Sequence, residues 1–202
     1  MTQTLVKSWI ASKPKPSNRR RTMQHHANMS STDRVKVWDI GVRLFHWSLV
    51  GTVVLTYFLI DPRQVHRTLG YIVIGLIGFR LVWGLIGTRH ARFINFIPAP
   101  MRLLSYLRDM LQRREARYLG HNPAGSVMVI VLLITLCAVG VTGYMMGMDA
   151  YFGQSWVEDT HKRLVNILII CVLLHLAGVI YASWRHRENL VLSMITGKKD
   201  GD

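Results

Sequence analysis

Polar and apolar positions along the chain separate into blocks instead of alternating. Four stretches are almost free of charge: Leu44–Ile60, Thr68–Gly87, Ser126–Met148 and Leu164–Trp184. Each has the length of a membrane-spanning helix, about 17–25 residues. Only Arg80 breaks them with a full charge. A segment surrounded by lipid must satisfy its backbone internally, so the pattern predicts helices and not strands. Pro98–Tyr118 reads differently. Met101, Leu104, Leu107 and Leu111 share one side, while Arg102, Asp109, Arg113 and Glu115 occupy others. That is the pattern of an amphipathic helix lying on a membrane surface. The expected fold is therefore all-α: a four-helix transmembrane bundle, with an interfacial helix between the second and third spans. Residues 1–34 read as a disordered basic tail, 35–190 as the membrane domain and 191–202 as a C-terminal tail. Residues 1–33 contain no apolar run of secretory type, and Met29 offers a second possible start.

Charge then orients the bundle. The chain carries 25 Lys and Arg against 11 Asp and Glu, a formal +14. The basic residues concentrate in the N-terminal tail, in the loop after the second span (Arg89 to Arg117) and after the fourth span. The other two loops balance Asp61, Asp149, Glu158 and Asp159 against Arg63, Arg67, Lys162 and Arg163. This asymmetry predicts both termini in the cytoplasm. The excess charge is thus a topology signal, and nucleic acid is not an expected partner. Cys137 and Cys171 lie mid-span, where thiols fill space and form no disulfide framework.

The histidines supply the chemistry. His161 and His175 lie fourteen positions apart on the fourth span. That is nearly four turns and about 21 Å of helix, so both face nearly the same side. Antiparallel threading puts His46 level with His175 at the inner end, and His66 level with His161 at the outer end. Two bis-histidine metal sites, one per leaflet, follow from that ordering. Imidazole suits haem iron held six-coordinate for electron transfer, with no position left open for oxygen or substrate. The bland alternative for each histidine is a helix–helix hydrogen bond or a headgroup contact, but ionisable groups inside membranes are costly and usually functional. Arg43, Arg67 and Arg80 are candidates to pair with haem propionates. Snorkelling to the interface would equally explain Arg43 and Arg67. His121 caps the third span and is a candidate for contact with a propionate or a quinone. Headgroup contact accounts for His25, His26, His90 and His186. Glycines 70, 75, 78, 84 and 87 admit either a neighbouring helix or a flat cofactor. Met145, Met146 and Met148 read as packing at a helix end.

Several short motifs carry a resemblance. Arg43-Leu44-Phe45-His46-Trp47, His66-Arg67-Thr68-Leu69-Gly70, Gly120-His121-Asn122-Pro123-Ala124-Gly125, the His161…His175 pair and the tail His186–Leu190 with Met194–Lys198 resemble the bacterial cytochrome b561 and nickel–iron-hydrogenase b-type cytochrome family. The likeness covers about residues 35–199. It implies a membrane diheme b cytochrome exchanging electrons between quinone or quinol and a redox protein at the periplasmic face, such as a c-type cytochrome. Hydrogenase members typically carry a further helix, and four spans point away from that role. No Cys-x-x-Cys-His peptide is present, so the two haems would be non-covalent. The alternatives are a superoxide oxidase feeding quinone, drawing its anion to Arg63, Arg67, Lys162 and Arg163, and a haem-free anchor for a respiratory complex. If the protein is an enzyme, it is a quinone-linked oxidoreductase.

Overall fold

The computed structural model describes residues 34–200, apart from His90 and Leu119. His25, His26, Met29 and the tail up to residue 33 lie outside the described residues, as does His90. Residues 35–199 form one compact unit. Its four long helices are α1 (Ile40–Phe58), α2 (Arg63–Ile86), α5 (Pro123–Met145) and α6 (Ser155–Arg185), with short α3 (Phe93–Phe96) and α4 (Pro100–Leu111) between the middle two. After α6 come α7 (Leu190–Thr196) and a strand, β2 (Lys198–Asp200), which pairs with β1 (Arg34–Lys36). All four long helices are apolar and long enough to cross a membrane.

Local chemistry sets the ends of these helices. Asp39 caps α1, its Oδ1 accepting the Val42 amide at 2.9 Å. Asn122 caps α5 by accepting the Gly125 amide at 2.7 Å, and Pro123 follows where its missing N–H costs nothing. Asn189 caps α7, which stops on Gly197 at φ 80°, a left-handed geometry that favours glycine. The helix α6 starts at Ser155, earlier than the apolar run from Leu164 predicts. Its 31 residues make about 46 Å of helix, well beyond a hydrocarbon core of about 30 Å. Its first turns are therefore polar and still helical.

Each helix packs on its neighbour in the order α1, α2, α5, α6. Val73 and Ile77 of α2, Leu136 of α5 and Leu168 of α6 form the buried centre, edged by Leu49 and Val53 of α1. Most other apolar side chains on the long helices point outward, as lipid-facing surfaces do. Between α1 and α6 there is no comparably extensive contact, so that side of the bundle is loosely closed.

At the end where the described chain begins and finishes, hereafter the terminus end, a second core forms from Val37, Trp38, Val42 and Ala91, covered by Trp83 and Met194. Gly84 allows the Phe93 ring to lie directly on α2, in space a Cβ would occupy. Arg43 donates to the Ile195 carbonyl, and Trp47 Nε1 donates to the Met194 carbonyl at 3.4 Å. The residues read as a trailing tail thus pack back onto α1.

Two findings depart from the sequence reading in this region. Trp38, an indole just before the first span that by sequence suits a half-wet headgroup boundary, is buried with its ring edge-on to His121 at 4.7 Å. Helix α4 ends by Gln112, because Arg113 turns to φ 57°. Glu115, expected on a polar outer side, is consequently carried inward to meet Arg185 Nε at 2.9 Å.

Candidate functional site

At the opposite end, where the α1–α2 hairpin and the α5–α6 loop turn, His66 and His161 come together. Their ring centres are 6.5 Å apart and their planes are inclined at 78°. One metal ion bound by both rings would hold the centres about 6 Å apart, from about 2 Å per metal–nitrogen bond and about 1 Å from nitrogen to ring centre.

The hydrogen bonds behind the rings decide which nitrogen is free. His66 Nδ1 lies 2.9 Å from the Thr56 carbonyl. With α1 ending at Phe58, that carbonyl is one of the last four and has no donor within its own helix. A carbonyl only accepts, so Nδ1 carries the proton and Nε2 keeps its lone pair. His161 Nδ1 lies 3.0 Å from Thr142 Oγ1. The Thr142 hydroxyl has the carbonyls of Ala138 (2.9 Å) and Val139 (3.1 Å) as acceptors for its own hydrogen, which leaves its oxygen able to accept from His161, and the Val139 backbone offers that ring a further acceptor. Again Nε2 is the free ligand atom. Gly143 completes the seat, since a Cβ there would approach His161 Cε1 to 3.3 Å.

The terminus end gathers a denser set. His46 on α1 and His175 on α6 sit close enough for their charges to interact, and both act on His121. His46 Nδ1 is buried with no hydrogen-bond partner among the described residues. Burial pushes the His121 imidazole down to about 3, helped by the charges of Arg80, Lys199, His175 and His46, so this ring is neutral. Lys199 is itself buried, 3.4 Å from Glu188, which also meets Arg117 at 3.5 Å.

The three candidate arginines are distributed along the bundle. Arg80 is buried: its Nη1 donates to the Ala91 carbonyl at 3.1 Å and its guanidinium lies over Phe93 at 4.7 Å. Arg43 is tied to α7. Arg67 donates to Gln64 at 2.7 Å on the exposed side of the hairpin end. Neither Arg43 nor Arg67 has a carboxylate at ion-pair distance among the described residues, so both retain charge for an acidic ligand group.

These residues suit a haem better than a bare ion. No group of three or more His, Cys, Asp or Glu among the described residues could hold a metal. Two imidazoles need a macrocycle to fill the remaining equatorial positions. A Cβ built at Gly70, Gly75 or Gly78 would meet nothing within 4 Å, so these positions of α2 are open to a flat group or to lipid. Gly84 and Gly87, by contrast, serve close packing.

Sequence reasoning missed the polar groups that orient the rings. Thr142 was detectable as one of the few hydroxyls in a largely apolar span, with Ser126, Thr135 and Tyr144. The Thr56 carbonyl was not, because only its position at a helix end makes it available.

Known proteins align with this picture. Among curated proteins, the chain is 20% identical to a probable Ni/Fe-hydrogenase B-type cytochrome subunit of Rhizobium leguminosarum bv. viciae, over 82% of this chain and 88% of that one. It is 24% identical to the corresponding protein of Azotobacter vinelandii, over 81% and 87% respectively. No solved structure gives a significant match. The family model for prokaryotic cytochrome b561 matches residues 37–197, nearly the whole of the compact unit, and the chain belongs to that family of membrane b-type cytochromes.

Proposed function

We propose that the protein carries electrons through the membrane by way of two non-covalent b-type haems, one held by His66 and His161, the other by His46 and His175. The observation that carries this reading is the His66–His161 pair: two imidazoles from different helices at bis-ligand spacing, each with Nδ1 committed and Nε2 free. The haem supplies a one-electron couple. With the two histidine pairs holding it, the chain would keep oxygen and substrate off the metal and limit rearrangement on reduction. The apolar walls of α2, α5 and α6 exclude water. Arg43 at one end and Arg67 at the other offer charge-assisted partners for propionates, with Arg80 as a third, deeper candidate.

Family membership supports haem b and electron transfer, and the four apolar helices support a multi-pass membrane protein. The finer assignments belong to this proposal. The basic residues of the terminus end favour the cytoplasmic side of a bacterial inner membrane, leaving the hairpin end periplasmic. Met101, Leu104 and Leu111 of α4 turn away from the protein and are largely exposed, which suits a helix resting in the membrane surface. We assign quinone or quinol as one exchange partner and a periplasmic redox protein as the other. The curated relatives are named as hydrogenase subunits, so a hydrogenase joins a c-type cytochrome among the partners to test.

Reduced-minus-oxidised spectra with a haem-to-protein ratio provide the test. Two haems per chain are expected, and a colourless protein purified from haem-replete cells would refute the reading and leave a membrane anchor in its place. Redox titration with and without quinone tests the lipid-soluble partner: no response of either haem removes it. The superoxide alternative depends on free positive charge at the hairpin end. There Lys162 is paired with Glu158 at 2.7 Å, which weakens that attraction, while Arg67, bonded to the neutral Gln64 amide, keeps its charge. Stopped-flow decay of superoxide separates the two.

A further inference from the structure

The two ligand pairs are supported differently from behind, and that difference has an electronic consequence. At the hairpin end both Nδ1–H groups are anchored, His66 on the Thr56 carbonyl and His161 on the Thr142 hydroxyl. At the terminus end the buried Nδ1 of His46 has no acceptor among the described residues. An imidazole that donates its second N–H becomes a more basic ligand. A more basic ligand stabilises the oxidised metal, because electron donation offsets the higher charge. The surroundings act in the same sense. Arg80 and Lys199, whose charges reach His121 as those of His46 and His175 do, bring positive charge to this end of the bundle, and positive charge favours the reduced state.

Resting on the diheme reading, we propose that Thr142 is a positioning residue for His161, and that its hydroxyl helps make the hairpin-end haem the lower-potential member of the pair. Electrons entering at the hairpin end would then run downhill along α6 toward the terminus end. Thr142 is suited to this role by geometry. It sits on α5, opposite the second turn of α6, and its own hydrogen has acceptors in the α5 backbone, which leaves its oxygen able to accept from His161. The neighbouring Gly143 leaves the ring room to reach it.

The experiment is a spectroscopic redox titration of the purified full chain, comparing wild type, T142V and T142S. H161A serves to identify the hairpin-end haem by its loss. Valine matches threonine in shape and lacks the acceptor; serine keeps it. The expected result is that T142V raises the midpoint of the haem missing in H161A and leaves the other unchanged, while T142S titrates like wild type. A tenfold rise in that haem's reduced-to-oxidised ratio at fixed poise would correspond to ~59 mV for one electron. Loss of the hairpin-end haem in T142V, with its retention in T142S, supports the same role, because the two differ in the hydroxyl. Overturning results are an unshifted T142V, a shift in the other haem, equal changes in T142V and T142S, or a wild type whose hairpin-end haem has the higher midpoint. A wild type from which H161A removes no haem sinks the diheme reading itself; a fully loaded wild type with an unshifted T142V sinks only this inference.

Discussion

The two ends of the bundle hold similar pairs of histidines by opposite means. At the hairpin end the support is sparse and local: a carbonyl left over where α1 stops, one hydroxyl on α5, and a missing side chain at Gly143. At the terminus end it is crowded and assembled from distant parts of the sequence. Asp39 binds Val42, Thr88 and Trp83; α7 returns to α1; Glu115 meets Arg185; Glu188 joins Arg117 to Lys199. A helix end inside a membrane offers unpaired acceptors, and a ring that needs its tautomer fixed can use one directly. A buried set of charges must instead be paired by many partners at once.

Substitutions can break or sharpen this contrast. The largest expected effect comes from the ligands: H161A and H175A should each lower the haem-to-protein ratio from two to one, and the two variants should lose spectrally different haems. If both lost the same species, the division into two ends would be wrong. Next, E115A removes the buried partner of Arg185 and should cost about 2 kcal/mol, the scale of a hydrogen bond to a charged group. Thermal unfolding in detergent, followed by haem absorbance, should show the terminus-end haem released first. Smaller still is G143A, whose new Cβ crowds His161; overpacking of this kind costs about 1 kcal/mol or more. Haem titration should show weaker loading at the hairpin end alone.

The smallest effect concerns Asp39. Burial pushes its carboxyl up, but bonds from Thr88, the Val42 amide, Trp83 and the Gly41 amide outweigh this, and the net direction is below the usual 3.8. A depressed carboxylate contributes stability that is present above its unfolded pKa and disappears as pH falls through the folded one. D39N should therefore melt slightly lower than wild type at neutral pH: asparagine still caps α1, so only the charge-assisted part of these bonds is lost, less than about 1 kcal/mol. That gap should begin to close as pH falls below the unfolded value and vanish once pH is below the depressed folded value, where the wild-type carboxyl is protonated as well.

Much of this architecture could be read from the chain before folding. Charge-free runs marked the four long helices, because lipid leaves a spanning segment no other way to satisfy its backbone. The level of each histidine followed from antiparallel threading, which is how His66 could be matched with His161 across nearly a hundred residues. What escaped depends on contacts that no window of sequence contains. Trp38 looks like an interfacial indole until α7 and Ala91 cover it. Glu115 looks solvated until Arg113 turns the chain inward. Arg43 reads as a propionate partner, and its observed bond runs to a carbonyl in a segment that read as a loose tail. Thr142 was visible as a polar intruder, yet only the neighbouring helix reveals which atom it serves.

The length of α6 has one more effect. Its 31 residues form a single uninterrupted helix that carries one imidazole of each pair. With the two proposed haems bound, a stiff rod shared by both sites would fix the gap between them at about 21 Å along its axis. A thinner or thicker bilayer can lean the rod without stretching it. The hopping distance, and with it the tunnelling rate, would thereby be insulated from the composition of the surrounding lipid.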